Sequence, residues 1–294
     1  MSLPGAYGAF DRKDIQMRHH AFLPLVTYPD VNADAVASNA VRTAGCLDAE
    51  LHALALNPDI PNVASPVARL LIDLPEMIGR AEQASRVRGE ALLQKVTEEA
   101  GKAGVAIHRE TVQSNAILLP ETAAARARYY DYALCGWEAA NPTAKAVAEA
   151  VIFGSGRPTI LLPELSPVGS LHHVAVAWDG SRVAARAAGD AAYLLRRAEI
   201  ISVLTVQDEK PLHDPRAGER FAEVLTARGL PATAISIAGQ RGPIAATLQQ
   251  RALELRAEIL VMGAFGHSRV RDFVLGGATR GVLDDLLLPV LLSH

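Results

Sequence analysis

The sequence predicts an α/β protein made of two tandem doubly wound parallel sheets, five strands in each. Three observations predict it. At 294 residues the chain exceeds what one compact core comfortably fills and suits two domains of similar size. Half of the residues are hydrophobic but only 5% are aromatic, the balance of a packed, helix-rich α/β core rather than a disordered chain. Strand-like and helix-like segments also alternate in the same order twice, joined by short links, as parallel sheets with crossover helices require.

The second pass through this order is the clearer one. From His172 the sequence HHVAVAWDGS is an apolar run ending in an acidic turn, and Ser181 to Arg197 follows with helical spacing. AEIISVLTV (198–206) is a second strand, Pro215 to Arg228 a helix, and PATAISIA (231–238) a third strand. Gly239 to Gly242 breaks the chain, after which Pro243 suits a first helical turn and the segment to Arg256 carries an apolar face. AEILVMG (257–263) is a fourth strand, ATRGVLDDLLL a short helix and PVLLS the last strand.

The first pass has the same order in poorer detail. AFLPLVTYPD supplies strand and turn, AVASNAVRTAGCL the helix and DAELHALAL the second strand, so Asp30 and Asp179, 149 positions apart, are expected in equivalent turns. A long helical region from Val67 to about Lys102, interrupted by Pro75, leads to the strand VAIHRET, a helix from Pro120 to Tyr130 and the strand YDYALCG. AVAEAVIFGSGRPTILLP closes the repeat, and PELSPVGS (163–170) reads as a linker. The expected division is therefore 1–165 and 166–294.

Composition excludes several classes of function. A formal charge of −3 gives no broad basic field, which argues against nucleic acid as a partner, although Arg269, Arg271 and Arg280 could contact an anion locally. Cys46 and Cys135 are far apart and have no metal-ligand spacing, as expected of reduced structural thiols. No run of eighteen apolar residues and no signal-peptide core occurs, so a soluble cytoplasmic protein without membrane contact is expected.

The segment VMGAFGHSRVRDFVLGGATRGVL carries the strongest functional signal. Gly263, two residues, Gly266, nine residues and Gly276 precede Gly277, Ala278 and Thr279 at a helix start. Glycine admits close backbone approach, and a helix N-terminus offers unpaired N–H groups to phosphate oxygens. In parallel sheets a ligand lies beyond the carboxyl ends of the strands near a switch in strand order, where the Asp179 turn and the Gly263 loop both project.

This strand, loop and helix, with its glycine spacing, resembles the universal stress protein family. The likeness covers nearly the whole chain beyond its first 18 or so residues. It implies that Asp179 lies by the ribose and adenine, that Val206 lines the adenine pocket, and that Met262, Gly263 and the residues to Gly266 pass along ribose and phosphates. Gly276, Gly277, Ala278 and Thr279 would hold the phosphate tail. The resemblance also implies that the final strands PTILLP and PVLLS pair, with further association of whole chains as homo-oligomers. Gly277 stands where the family has Ser or Thr, which removes a hydroxyl but keeps the N–H, and Thr279 is an alternative source of that hydroxyl. Repeat one keeps Gly136 but has Ala139 and Lys145 near the other glycine positions and a shorter loop, so no comparable phosphate site is expected there.

Other polar residues have plainer readings. His267 is a loop residue, Glu138, Lys145, Arg126 and Arg128 are surface charges, and GSG around Ser155 is a tight turn. His19–His20 and His172–His173 are not expected to bind metal, because neighbours on a strand point to opposite faces, and no metal site is expected elsewhere. The expected function is thus a stress-response regulatory protein, not an enzyme. Its ligand is an adenine nucleotide in the C-terminal repeat, ATP foremost but also ADP or AMP, with Mg2+ as an optional companion. The alternatives are a nucleotide-free interaction scaffold of the same fold and a slow ATP hydrolase.

Overall fold

A computed structural model describes residues 18–61, 73–207, 214–238, 243–264 and 277–294. In the first repeat β1 (His19–Val26) leads through α1 (Asp34–Cys46) to β2 (Ala49–Asp59), and α2 (Leu74–Ala103) to β3 (Ile107–Asn115). Then come α3 (Leu119–Ala127), β4 (Tyr132–Trp137), α4 (Pro142–Gly154) and β5 (Thr159–Pro163). The second repeat runs β6 (His173–Ala177), α5 (Arg182–Asp190), α6 (Ala192–Arg197), β7 (Ile200–Val206), α7 (Ala217–Ala227) and β8 (Ala232–Ile237). It closes with α8 (Ile244–Glu254), β9 (Ile259–Gly263), α9 (Gly277–Asp284) and β10 (Val290–Ser293).

The strands form one ten-stranded sheet in the order β3-β2-β1-β4-β5-β10-β9-β6-β7-β8. Each half is parallel, and the halves meet where β5 and β10 pair antiparallel, with Leu161 opposite Val290 and Ile160 opposite Leu291. The two predicted five-stranded sheets are thus present but fused, through the final strands that the resemblance singled out.

Side-chain alternation along the strands explains the layers. Ala21, Leu23 and Leu25 of β1 face one apolar layer with α1, α2, α5, α6 and α7, while Phe22 and Val26 face another with α3, α4, α8 and α9. Both layers continue across the β5–β10 joint, so the repeats share their cores.

The connection between repeats is tied to α1. Asn39, 5% exposed, donates to the carbonyls of Pro163 and Ser166 and accepts from the Val168 N–H at 3.1 Å. Arg42 donates to the Val168 carbonyl at 3.0 Å. At the far end, the Glu258 carboxylate accepts from the N–H groups of Ser170, His172 and His173. Gly169 leaves room for this carboxylate: a Cβ there would lie 2.2 Å from a Glu258 carboxylate oxygen, and the side chain would have to shift.

Of the helical region expected from Val67, residues up to 72 lie outside the described residues; from Leu74 it is α2, with Pro75 in the first turn and Asp73 accepting from the Glu76 N–H. Two expectations need correction. Residues 181–197 form two helices that divide at Ala191, after the poor helix formers Gly189 and Asp190. Asp30 is not the counterpart of Asp179. The N–H groups of Asp131 and Glu258 donate to the carbonyls of His20 and His173 respectively, which sets the first strands 153 positions apart and aligns Asp179 with Val26. The turn after β1 is longer, and Asp30 lies exposed within it.

Replacing Asn39 with Ala should lower stability by about 1–3 kcal/mol, because it leaves buried linker groups unpaired. Chemical denaturation checks this; an unchanged midpoint would show that the linker is held elsewhere.

Candidate functional site

The candidate crevice lies at the carboxyl ends of β6, β7 and β9, where strand order reverses between β6 and β9. Beyond β6 the chain continues in register with β7: the Trp178 N–H donates to the Leu204 carbonyl at 2.8 Å, and the Thr205 hydroxyl donates to the Trp178 carbonyl at 2.9 Å. The Trp178 ring stacks on Phe221 at 3.7 Å with planes 4° apart, fixing the end of the strand against α7. Asp179 and Val206 therefore emerge side by side.

The sequence Asp-Gly-Ser turns the chain sharply. Asp179 Oδ1 accepts from the Ser181 N–H at 2.9 Å, Gly180 takes a left-handed φ of 74°, and Ser181 Oγ caps α5 by accepting from the Ala184 N–H. The Asp179 carboxylate is thereby aimed by the turn while half-exposed.

Gly263 ends β9 against the first turn of α5. A Cβ there would stand 2.5 Å from the Val183 carbonyl carbon, so no larger residue fits without moving α5. Gly136 at the end of β4 meets the same constraint, with a Cβ 2.6 Å from Val36 Cγ2. This first glycine of the pattern thus has a packing role in both repeats, whatever binds beyond it. Met262 is buried in the core, so it presents backbone to the crevice, and Val206 is half-buried at its edge.

On α9, Gly277 is exposed, with open space where a Cβ would stand. Ala278 is half-buried, and Thr279 is 3% exposed in the first turn. Gly281 lets α9 approach α8, where a Cβ would meet Ala245 Cβ at 2.6 Å. Gly266, Gly276, His267, Arg269 and Arg271 lie outside the described residues.

The corresponding crevice of repeat one is filled by Glu138, which is 4% exposed and not the surface charge expected. One carboxylate oxygen accepts from Asn32 Nδ2 at 2.7 Å and Asn141 Nδ2 at 3.1 Å, and the other from the Ala33 N–H. Asn32 in turn accepts from the Val26 N–H at 2.6 Å, and Asn141 caps α4 by accepting from the Ala144 N–H at 2.9 Å. The carboxylate thus lies between the amino ends of α1 and α4, where helix dipoles favour an anion. Burial, reinforced by nearby Glu164, nevertheless raises its pKa above the ordinary carboxylate value, outweighing the three donors.

The sequence reading missed Trp178, Thr205 and Phe221, and it misjudged Glu138. The segment Asn141-Pro142 was legible as a capped helix start, and an acidic residue three positions before it was the available signal.

Three α/β/α layers with strand order 3-2-1-4-5 in each half define the doubly wound α/β class. Residues 170–294 match the model of the Universal stress protein family. The second repeat is thus a universal stress protein domain, and the first repeat has the same fold. Among solved structures, a universal stress protein from Archaeoglobus fulgidus covers 94% of this chain and 97% of its own, at a TM-score of 0.70 and 19% identity. A putative universal stress protein from Pseudomonas aeruginosa UCBPP-PA14 covers 94% and 93%, at 0.56 and 17%. A functionally unknown protein from Pseudomonas aeruginosa PAO1 covers 94% and 92%, at 0.52 and 16%. No curated protein matches the chain in sequence.

Glu138→Gln should cost about 1–3 kcal/mol, since an amide cannot accept from all three donors. A raised folded-state pKa makes wild-type stability fall as pH rises from the ordinary carboxylate value through the raised one. That slope should be missing from the variant when denaturation midpoints are compared between pH 4 and 8; identical slopes would place the carboxylate in water.

Proposed function

We propose that the second repeat binds an adenine nucleotide, ATP before ADP or AMP, and that the protein acts as a cytoplasmic regulatory binding protein in the stress response. The observation that carries this reading is the meeting of Asp179, Val206 and Gly263 at the order reversal, each held by its own strand or turn. Val206 offers an apolar edge to a base, Asp179 an acceptor to ribose hydroxyls, and the amino end of α9 a partial positive charge to phosphate. Mg2+ would accompany the phosphates without a dedicated protein cage.

Repeat one then serves as a fixed structural partner, because Glu138 already holds its crevice. The final strands are used within the chain, so association of whole chains must use other surfaces. Among the described residues no helix is long and apolar enough to cross a membrane. We read the site as binding without turnover; ATP hydrolysis that Asp179→Ala abolishes would overturn this.

Gly277→Ser tests the phosphate end. The position is open, so the variant should fold unchanged, and the restored hydroxyl should tighten ATP binding about 5-fold, the worth of roughly 1 kcal/mol of added hydrogen bonding. Calorimetric titration of nucleotide-stripped protein measures both. Saturable binding unaffected by the serine would move the phosphates away from α9; no binding by either protein would leave a nucleotide-free scaffold.

A further inference from the structure

At the opposite, amino-terminal rim of the first repeat's sheet, three histidines and a glutamate converge from neighbouring strands. His20 of β1 is the register partner of Glu50 on β2, and His52 on β2 is the partner of His108 on β3. Glu50 and His52 are two residues apart and share one face, so the row is an outcome of strand pairing and invisible to local sequence patterns. His19 points to the other face, where its ring meets Tyr132 and Tyr193, as alternation requires.

We propose that His20, Glu50 and His52 form a transition-metal site suited to Zn2+. His20 Nδ1 and His52 Nε2 are 2.9 Å apart, and the donor atoms of all three residues lie within 4.8 Å of one another. Ligands about 2.0–2.2 Å from a tetrahedral ion are themselves roughly 3.3 Å apart, so small side-chain rotations suffice to admit one. Two imidazoles with one carboxylate favour zinc or a similar transition ion over Mg2+ or Ca2+, and leave a coordination position for water.

The surroundings orient this set. His108 Nε2 lies 3.2 Å from Glu50 Oε2, and its ring stacks on His52 at 4.4 Å with planes 10° apart. A partner that holds the carboxylate from behind is the usual outer support of a metal ligand. Arg18 reaches Glu50 Oε1 at 3.5 Å and opposes cation binding, but its side chain is 63% exposed and can swing into water.

Repeat two supplies an internal comparison. His173, the counterpart of His20, bonds Ser202 at 2.9 Å, and the register places Ile200, Ser202 and Thr233 where repeat one has Glu50, His52 and His108. The fold therefore does not need imidazoles and a carboxylate at these positions. Their concentration in repeat one is a feature of that repeat's surface chemistry.

The test is titration of Zn2+ into the full-length, chelator-stripped protein against a chromophoric zinc indicator, with Co2+ absorption as a second readout of the ligand set. One equivalent should bind. His52→Ser, which copies repeat two and so preserves the fold, and His20→Gln should each weaken binding at least 10-fold. His108→Ala should weaken it about 10–100-fold by releasing Glu50, and His173→Gln should leave it unchanged. Matching thermal melts without metal confirm that the variants fold. Absence of stoichiometric binding overturns the site, as does binding that survives both His20→Gln and His52→Ser.

Discussion

The hydrogen bonds between β5 and β10 are the constraint on which the rest of the structure rests. In separate five-stranded sheets each of these strands would be an exposed edge, a row of unpaired N–H and C=O groups flanked by leucine and isoleucine. Paired with one another, both are buried, and the apolar layers above and below run unbroken from α2 to α7 and from α3 to α9. Because this one pairing is antiparallel, the strands of the two repeats run in opposite directions. Their crevices accordingly open at opposite rims, and the histidine cluster of repeat one shares a rim with the crevice of repeat two, about five strand spacings of ~4.8 Å away.

Within that frame the repeats have diverged at the crevice while keeping its walls. Gly136 and Gly263 are both needed where the fourth strand of the repeat touches its first helix. Asp131 and Glu258 both accept backbone N–H groups at the start of the first strand. What differs is the occupant: a short turn aimed by Asp179 in one repeat, and in the other a longer turn whose Asn32 and Ala33 grip Glu138.

Much of this was legible in the sequence, because strand and helix periodicities are local. The Asp-Gly-Ser turn, the glycine spacing before α9 and the alternation of elements could all be read from neighbouring residues. Asp30 was misplaced because counting from a turn cannot detect extra residues before it; only the pairing of Asp131 with His20 sets the register. Glu138 looked like a surface charge because burial of a carboxylate depends on Asn32 and Ala33, over 100 positions earlier. His20, Glu50, His52 and His108 were likewise opaque, since their meeting depends on which three strands lie side by side. Joining of the final strands came from family resemblance, not from periodicity.

The buried carboxylate of Glu138 has a consequence for how the whole chain responds to solutes. A tethered group competes with a free one at an effective concentration set by its tether, and here the tether is a single rigid strand end. A free anion must therefore exceed that effective concentration, weighted by its affinity, before it displaces the carboxylate. Two open halves would offer two sites, and any coupling free energy between them would bend the response into a sigmoid. A chain with one crevice held by its own carboxylate keeps a single crevice of this kind for a solute, and a single site fills along a simple hyperbola, as a graded gauge and not as a switch.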